Sequence, residues 1–489
     1  MTQVPGHFSR SPQHLWKQFY NITKIPRPSK KEEKFRVYLK SFAKEHACTY
    51  FEDAAGNILL KARASSGQES KKPILIQNHM DMVCDTLAGY SHNFETDPIL
   101  TYEKDGFIFA KGTTLGADNG IGCAAALALV SDENVSHPPL ELLFTSDEET
   151  GLHGALGLNT EHIEGRTMLN LDTEEWGTVY IGCAGGLNYE LNKEITLEKS
   201  KFNSQDAMTV EIKVLGLLGG HSGSDIHLNR ASAIKILGSL ISILKDDIEL
   251  VSFDGGRAHN IIPREAHCKL HVPKVKMDEI KNKIQDFYNQ TNDAISRVEK
   301  NLEIEFVEDH FSSEQILSKE DIEDFLLLNM SIPSGAFSFL WEFDEPLVSY
   351  SANLARAIFL NNKLYFELSV RFTKRSEILA LDKSLELLSA KTNFNLDKSG
   401  GYPSWSPDLD SKLLSKMKEQ YISLFSKAPE VKAIHAGLEC GILKDKIGDI
   451  DVISFGPTIL NAHSPDECIE IDTVGPFWDL LTKTINSFD

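Results

Sequence analysis

The chain has 489 residues, 41% apolar and 25% charged, too long for one compact core and ordinary for a soluble protein, so two globular domains are expected. A formal charge of -21 argues against a nucleic-acid surface, which needs clustered Lys and Arg. No window approaches the roughly 18–20 uncharged apolar residues of a membrane span, the opening residues lack a basic-then-apolar export pattern, and the scattered cysteines lack C-x-x-C spacing. A cytoplasmic protein with reduced thiols is the expectation.

Residues 30–45 place Phe35, Tyr38, Leu39 and Phe42 on one helical face. Short apolar runs follow: N-I-L-L-K, P-I-L-I-Q-N, L-E-L-L-F-T, R-T-M-L-N-L-D and V-Y-I-G-C. Among them sits G-I-G-C-A-A-A-L-A-L-V, a small-residue helix suited to close packing on a sheet. This alternation over residues 1–186 predicts an α/β layered domain with a largely parallel or mixed sheet. From Leu187 the texture changes. One-sided strands at 209–215, 266–272 and 363–372, with helices at 229–245 and 376–390, predict an inserted α+β domain over 187–397, rich in βαβ units and built of two similar halves. Its acidic stretch 308–323 reads as a solvated loop and helix start. The Gly/Pro signals at 399–408 mark the return, and 398–489 complete the first domain.

Five short pieces, each expected at a strand end, bear acidic or histidine residues: His79 and Asp81 in H-M-D, Asp118 in G-A-D-N-G, Glu148 and Glu149 in S-D-E-E-T-G, Asp172 in N-L-D, and His463 in N-A-H-S-P-D-E. Ligands of α/β sheets gather beyond the carboxyl ends of strands. Taken singly, each has a plain structural reading: a loop histidine, a helix N-cap for Asp118, a solvated acidic turn for Glu148–Glu149. Together at one sheet edge they suit two zinc ions, with Co²⁺ or Mn²⁺ as substitutes. Asp81, two residues past His79, can bond the far nitrogen of that imidazole and fix its tautomer. Adjacent glutamates point to opposite sides of an extended chain, so one can hold metal while the other handles protons. Two such ions share a bridging carboxylate and activate a water for attack on a carbonyl, while a glutamate outside the ligand set takes the proton. Cys84 and Cys183 lie near these pieces, but the histidines and carboxylates suffice without a thiolate.

These residues, with the longer strings Q-N-H-M-D-M-V-C-D, N-L-D-T-E-E-W-G, G-G-H-S-G-S-D-I-H and H-A-G-L-E-C-G, resemble the cocatalytic-zinc exopeptidase family that includes acetylornithine deacetylase and glutamate carboxypeptidase. Within it they look like the aminoacyl-histidine dipeptidase branch, over most of the chain and most weakly at 275–360. The resemblance implies a metallopeptidase domain with an inserted lid, and a likeness residue by residue. Asp118 would bridge the metals, His79 and Asp172 would hold one ion, and Glu149 and His463 the other. Glu148 would be the general base and Asp81 the orienter of His79. His221 would stabilise the oxyanion, Asn260 and Arg371 would contact the C-terminal side of the substrate, and Glu439 would bind a free α-amino group. A homodimer through the lid is also implied. As bare sequence features, His221 is a histidine in a Gly-rich turn and Arg371 serves equally as a strand-surface residue.

The function expected is hydrolysis of unblocked dipeptides, Xaa-His preferred. A deacylase of N-acyl amino acids on the same scaffold is the nearest alternative. A non-catalytic metal-binding scaffold is the alternative of another class, and Glu148 speaks against it, because a base outside the ligand set has no structural use.

Overall fold

Every residue of the strands Ile74–His79 and Leu140–Thr145 is buried, the fate of continuous apolar runs in a sheet covered on both faces. The structure is a computed structural model describing residues 5–310, 315–343, 346–360 and 362–488. Its chain divides into two units, one of Met1–Cys183, Trp405–Ala433 and Leu438–Asp489, the other of Ala184–Ser404 and Ile434–Gly437.

The first unit is built on an eight-stranded sheet in the order Thr49–Glu52, Ile58–Ala62, Leu140–Thr145, Ile74–His79, Thr167–Asn170, Asp451–Ser454, Thr178–Cys183 and Glu430–Ile434. Ile74–His79 runs parallel to both its neighbours, and Asp451–Ser454 runs parallel to Thr167–Asn170. Ile58–Ala62 and Thr178–Cys183 join this parallel block antiparallel. Four strands therefore deliver their carboxyl ends to one edge, where His79 ends its strand and Glu148, Asp172 and His463 follow theirs. The fold is of the α/β class with a mixed sheet.

The helix expected at 30–45 spans Glu33–Glu45 and buries Phe35, Leu39 and Phe42, while Tyr38 is part-buried and donates to Gln18 Oε1 at 2.6 Å. The small-residue helix spans Ala117–Ser131 and is buried from Asn119 to Leu129. Small side chains are required there: a Cβ on Gly122 would stand 2.2 Å from Asn78 Oδ1 and 2.6 Å from the Leu171 carbonyl oxygen. A second sheet of this unit, ordered Ile459–Leu460, Cys468–Glu470, Phe107–Ala110 and Thr101–Lys104, presents the turn that bears His463.

The second unit is organised by a nine-stranded sheet whose pairings are antiparallel. It falls into the two expected βαβ-rich halves: Ala207–Leu215, Glu249–Gly255, Ala266–Pro273 and Glu303–Asp309 with helices Ala233–Leu244 and Met277–Ile295 form one, and Gly185–Glu194, Leu347–Leu360, Lys363–Phe372 and Asn395–Tyr402 with helices Lys319–Ser331 and Leu379–Thr392 form the other, each with its fourth strand beside its first and its third between its first and second. Gly185–Glu194, the first strand of the unit, lies between Lys363–Phe372 and Asn395–Tyr402, the last two. Helices Ala233–Leu244 and Lys319–Ser331 cover the sheet with a core in which Phe325 meets Phe253 and Phe366 at ring-centroid distances of 4.9 Å. Each such buried aromatic contributes about 1.5–3 kcal/mol of transfer free energy. The unit extends past the expected limit of 397 to Ser404, because Asn395–Tyr402 is its edge strand. Part of the acidic stretch 308–323, residues 311–314, lies outside the described residues, and Lys319–Ser331 forms the helix that begins there.

Candidate metal centre

Beyond the parallel strands, Asp118 lies between two imidazoles. Its Oδ1 is 2.9 Å from His79 Nε2 and its Oδ2 is 3.2 Å from His463 Nε2. Asp172 Oδ1 is 3.3 Å from His79 Nε2, and Glu149 Oε2 is 3.1 Å from His463 Nε2. Two three-residue groups result, His79–Asp118–Asp172 and Asp118–Glu149–His463, each with donor atoms within 4.8 Å of one another and sharing Asp118. Glu148 joins only a third group, with His79 and Glu149.

The backbone conformations behind this cluster are uncommon. Asp147 and His463 adopt left-handed φ values of 47° and 64°, and Gly116, at 68°, opens the small-residue helix. Left-handed non-glycine residues cost on the order of 1 kcal/mol and persist where surrounding contacts over-determine them. Asp118 stands at a kink two residues past Gly116, where it and Asn119 leave helical geometry (φ -76° and ψ 114° at Asp118) and from which the regular helix runs on at Gly120. Asp172 lies two residues past the end of its strand at Asn170. There Asn119 Nδ2 donates both to the Leu171 carbonyl at 2.9 Å and to Asp172 Oδ1.

Asp81, fully buried, has two roles. Its Oδ1 is 3.4 Å from His79 Nδ1, the ring nitrogen turned away from Asp118. It also accepts the backbone N–H groups of Glu148 at 3.0 Å and Glu149 at 3.2 Å, so one carboxylate stands beside a histidine and holds the glutamate turn. Burial opposes its ionisation, but His79 and these donors hold its pKa down to about 2. The base of the same turn is closed by Asn57, which accepts from Ser146 N at 3.0 Å and donates to the Gly154 carbonyl at 2.9 Å. A further acidic group, Glu32–Asp81–Asp147, is explained by hydrogen bonding. Glu32 accepts from Asp147 N, and Asp147 accepts from Thr150 Oγ1 and His153 Nδ1.

The electrostatics call for cations. Burial lowers the proton affinity of His79, and Asp172, Asp118 and Asp81 more than reverse it, leaving its pKa well above the usual value. Hydrogen bonds to Asp118 and Glu149 push His463 up to about 11. Burial raises the Glu148 pKa far above the carboxylate range; His79 opposes this, while Asp172, Glu439 and Glu149 add to it. Glu149 Oε1 is buried without a hydrogen-bond partner. Two imidazoles and three carboxylates that concentrate negative charge and leave an oxygen unpaired fit two divalent ions of the zinc type.

Glu439 lies at the same sheet edge but is only 1% exposed. Its Oε2 accepts from Gln77 Nε2 and Thr145 Oγ1, both at 2.6 Å, and its Oε1 has no partner. Nearer the solvent is part-buried Glu174, whose pKa is raised by burial and by the charges of Asp118 and Asp172. The sequence reading passed over it, although T-E-E directly follows Asp172.

In the second unit the structure brings His221 and Arg371 together around Gly223. A Cβ on Gly223 would stand 3.0 Å from His221 Cε1 and 3.2 Å from Arg371 Nε. His221 Nδ1 accepts from the N–H groups of Gly223 and Ser224, both at 3.2 Å, which leaves Nε2 as the donor. Arg371 is 8% exposed, with Nη1 on Tyr402 Oη at 2.7 Å and Nε without a partner. Asn260 is part-buried and accepts from Ser222 N through its carbonyl at 2.8 Å. His435, missed by the sequence reading, belongs to this group, and its Nε2 is 2.7 Å from Ser351 Oγ. It stands in the H-A-G string, four residues before Glu439.

Comparison with known proteins agrees with this geometry. The sequence profile of peptidase family M20/M25/M40 matches residues 75–487. The cytosol non-specific dipeptidase of Escherichia coli (strain K12) is 36% identical over 481 residues, 97% of each chain. Among solved structures, aminoacylhistidine dipeptidase from Vibrio alginolyticus superposes with a TM-score of 0.91 at 33% identity, covering 100% of this chain and 99% of that one. A tripeptidase from Staphylococcus aureus, at 15% identity with a TM-score of 0.53 and 97% of both chains covered, shares the fold.

Proposed function

Because this chain belongs to peptidase family M20/M25/M40, we propose that it hydrolyses unblocked dipeptides, Xaa-His preferred, at a pair of zinc ions. The observation that carries this reading is Asp118 between the two imidazoles, with Glu148 beside His79 and outside both groups that share Asp118. The names of the E. coli and Vibrio relatives support dipeptides as substrates.

Asp118 would bridge the ions, with His79 and Asp172 on one and Glu149 and His463 on the other. Bound there, the metals would lower the pKa of a water toward about 7 and polarise the scissile carbonyl. Glu148 takes the proton of the attacking water on its carboxylate and returns it to the leaving amine nitrogen. Asp81 keeps the Nδ1 side of His79 occupied, so that Nε2 faces the site. His221, neutral and donating from Nε2, suits a developing oxyanion, and Arg371 with Asn260 suits the substrate's C-terminal carboxylate.

The α-amino group is assigned to Glu439 through its unpartnered Oε1. Glu174 is the competing carboxylate. Whichever of Glu439→Gln and Glu174→Gln raises KM for a free dipeptide identifies the receptor. A homodimer through the second unit is supported by the exposed Phe337 and Trp341, at the strand Gly335–Leu340 and just beyond it, and light scattering tests it. The name of the E. coli relative, a cytosol dipeptidase, supports a cytoplasmic location; no helix among the described residues is long and apolar enough to cross a membrane.

The test is hydrolysis of a free Xaa-His dipeptide beside its N-acetylated form by zinc-reconstituted protein. Cleavage of the free form alone supports the proposal. Preference for the acetylated form assigns the chain to deacylation.

A further inference from the structure

Glu467 is 2% exposed, yet it has no role among the ligands or the base. Its carboxylate accepts four backbone N–H groups from one short segment. Oε2 takes Leu115 N at 2.7 Å and Gly116 N at 2.8 Å, and Oε1 takes Ala117 N at 2.7 Å and Asp118 N at 3.3 Å. Four donors converge only because Gly116 is left-handed, with φ 68°, at the entry to the helix Ala117–Ser131.

The other face of the segment is held as firmly. Arg27, 3% exposed, donates from Nη2 to the Gly116 carbonyl, and from Nη1 to the carbonyls of Met80 at 2.9 Å and Asp81 at 2.6 Å. A Cβ on Gly116 would stand 2.6 Å from Arg27 Nη2 and 2.8 Å from Met82 Sδ, so no larger residue fits between. Glu467 thus ties residues 115–118 to the turn bearing His463, four residues earlier. Arg27 ties them to the segment 79–81, which begins with His79.

We propose that Glu467, with Arg27 opposite it, is a positioning residue that holds Asp118, His79 and His463 in register before any metal arrives. The inference rests on the two-metal reading of the site. Partners of this kind are worth about 10–100-fold in metal affinity. Glutamine at 467 is nearly isosteric but exchanges one acceptor oxygen for a donor NH₂, which leaves two of the four N–H groups facing a donor.

The experiment titrates metal-free protein with zinc against a chromophoric chelator, for wild type, Glu467→Gln and Arg27→Lys, with thermal melts of each metal-free form. The wild type binding two zinc ions tests the underlying reading independently. Both variants should bind zinc about 10–100-fold more weakly at a temperature where their metal-free forms are folded, although the N–H groups left without an acceptor should lower the metal-free melting temperature of Glu467→Gln. Unchanged zinc affinity would overturn the proposal. So would a loss of affinity that disappears wherever the metal-free variant is folded, which is what a merely structural role produces. If neither variant folds, amide hydrogen exchange of metal-free wild type decides. Strong protection of Leu115–Asp118 supports a preformed frame, and exchange at loop rates overturns it.

Discussion

Replacing Asn57 with alanine tests whether the turn bearing Glu148 and Glu149 is clamped at its base. The Asn57 side chain is 2% exposed and makes three hydrogen bonds: Oδ1 accepts Ser146 N at 3.0 Å, and Nδ2 donates to the Gly154 carbonyl at 2.9 Å and to Asp53 Oδ2 at 2.8 Å. Asp53 loses little, because it still accepts from Ala55, Asn57 and Asn159 backbone N–H groups. Ser146 N and the Gly154 carbonyl are buried and lose their side-chain partner. Each orphaned group costs about 1–3 kcal/mol, so the substitution should destabilise the first unit by about 2–6 kcal/mol. The Gly154 N to Ser146 O bond at 2.9 Å remains, so the turn should loosen rather than detach. Glu149 would then be held less well against His463. Urea unfolding of the metal-free protein gives the stability change, and zinc titration gives the coupling to the site. A loss below about 1 kcal/mol with unchanged zinc affinity would refute the clamp.

Four further outcomes are expected. Glu148→Ala should lower turnover about 10²–10⁴-fold while two zinc ions remain bound, as measured by metal analysis after gel filtration; unchanged turnover rules out its role as base. Gly122→Ala places a Cβ 2.2 Å from Asn78 Oδ1 and 2.5 Å from Asn119 Oδ1; it should cost about 1–3 kcal/mol and weaken zinc binding by displacing the amide on Asp172, both visible in zinc-dependent melts. Chelation should abolish activity, and zinc at 100 times Kd should restore about 2.7 kcal/mol of stability per site, read as a concentration-dependent Tm. In the second unit, burial and then the Arg371 charge, with His227 and His221 nearby, pull the His435 pKa from 6.5 down to about 3. The unfolded chain therefore takes up a proton that the folded unit refuses. This stability is fully present above the unfolded value of about 6.5 and falls by about 1.4 kcal/mol per pH unit toward about 3. His435→Gln should flatten that part of the melting curve against pH, and equal slopes would disprove the assignment.

The clustered residues were legible in the sequence because a strand in a parallel block leaves two signals, a continuous apolar run and a polar residue where it stops. His79, Asp172 and the Glu148–Glu149 pair all stand just there. Asp118 was legible through its glycines, although it is not a strand-end residue. The second role of Asp81 was not, because it depends on Asp147 adopting a left-handed φ that turns two successive N–H groups toward one carboxylate. The extended chain on which the two roles of the adjacent glutamates were read is not what forms, since Asp147 before them is left-handed. The strand Asn395–Tyr402 was read as the way back to the first domain because of Ser399-Gly-Gly401. In the structure those glycines form a register shift between Ser399 and Gly401, with Gly400 at φ 57°, and the strand continues through it. Glycine signals a change of backbone conformation, not always the end of an element.

What sequence patterns miss at this site is the frame, and there is a physical reason for its invisibility. A cluster that is to hold two cations, as proposed here, must remain negative, so lysine or arginine beside its carboxylates would compete with the metals for them. The structure holds its supporting carboxylates by neutral donors instead: Asp81 by Ser29 and the amides of Glu148 and Glu149, and Glu467 by four amides of residues 115–118. Arg27, buried beside them, directs its hydrogen bonds to the carbonyls of Met80, Asp81 and Gly116. Its charge is thereby solvated by peptide dipoles without closing a salt bridge that would occupy a ligand. Backbone amides belong to every residue type, so the partners of Asp81 and Glu467 leave almost no mark on composition. Only the carboxylates themselves and the glycine that turns the amides toward Glu467 are written in the sequence.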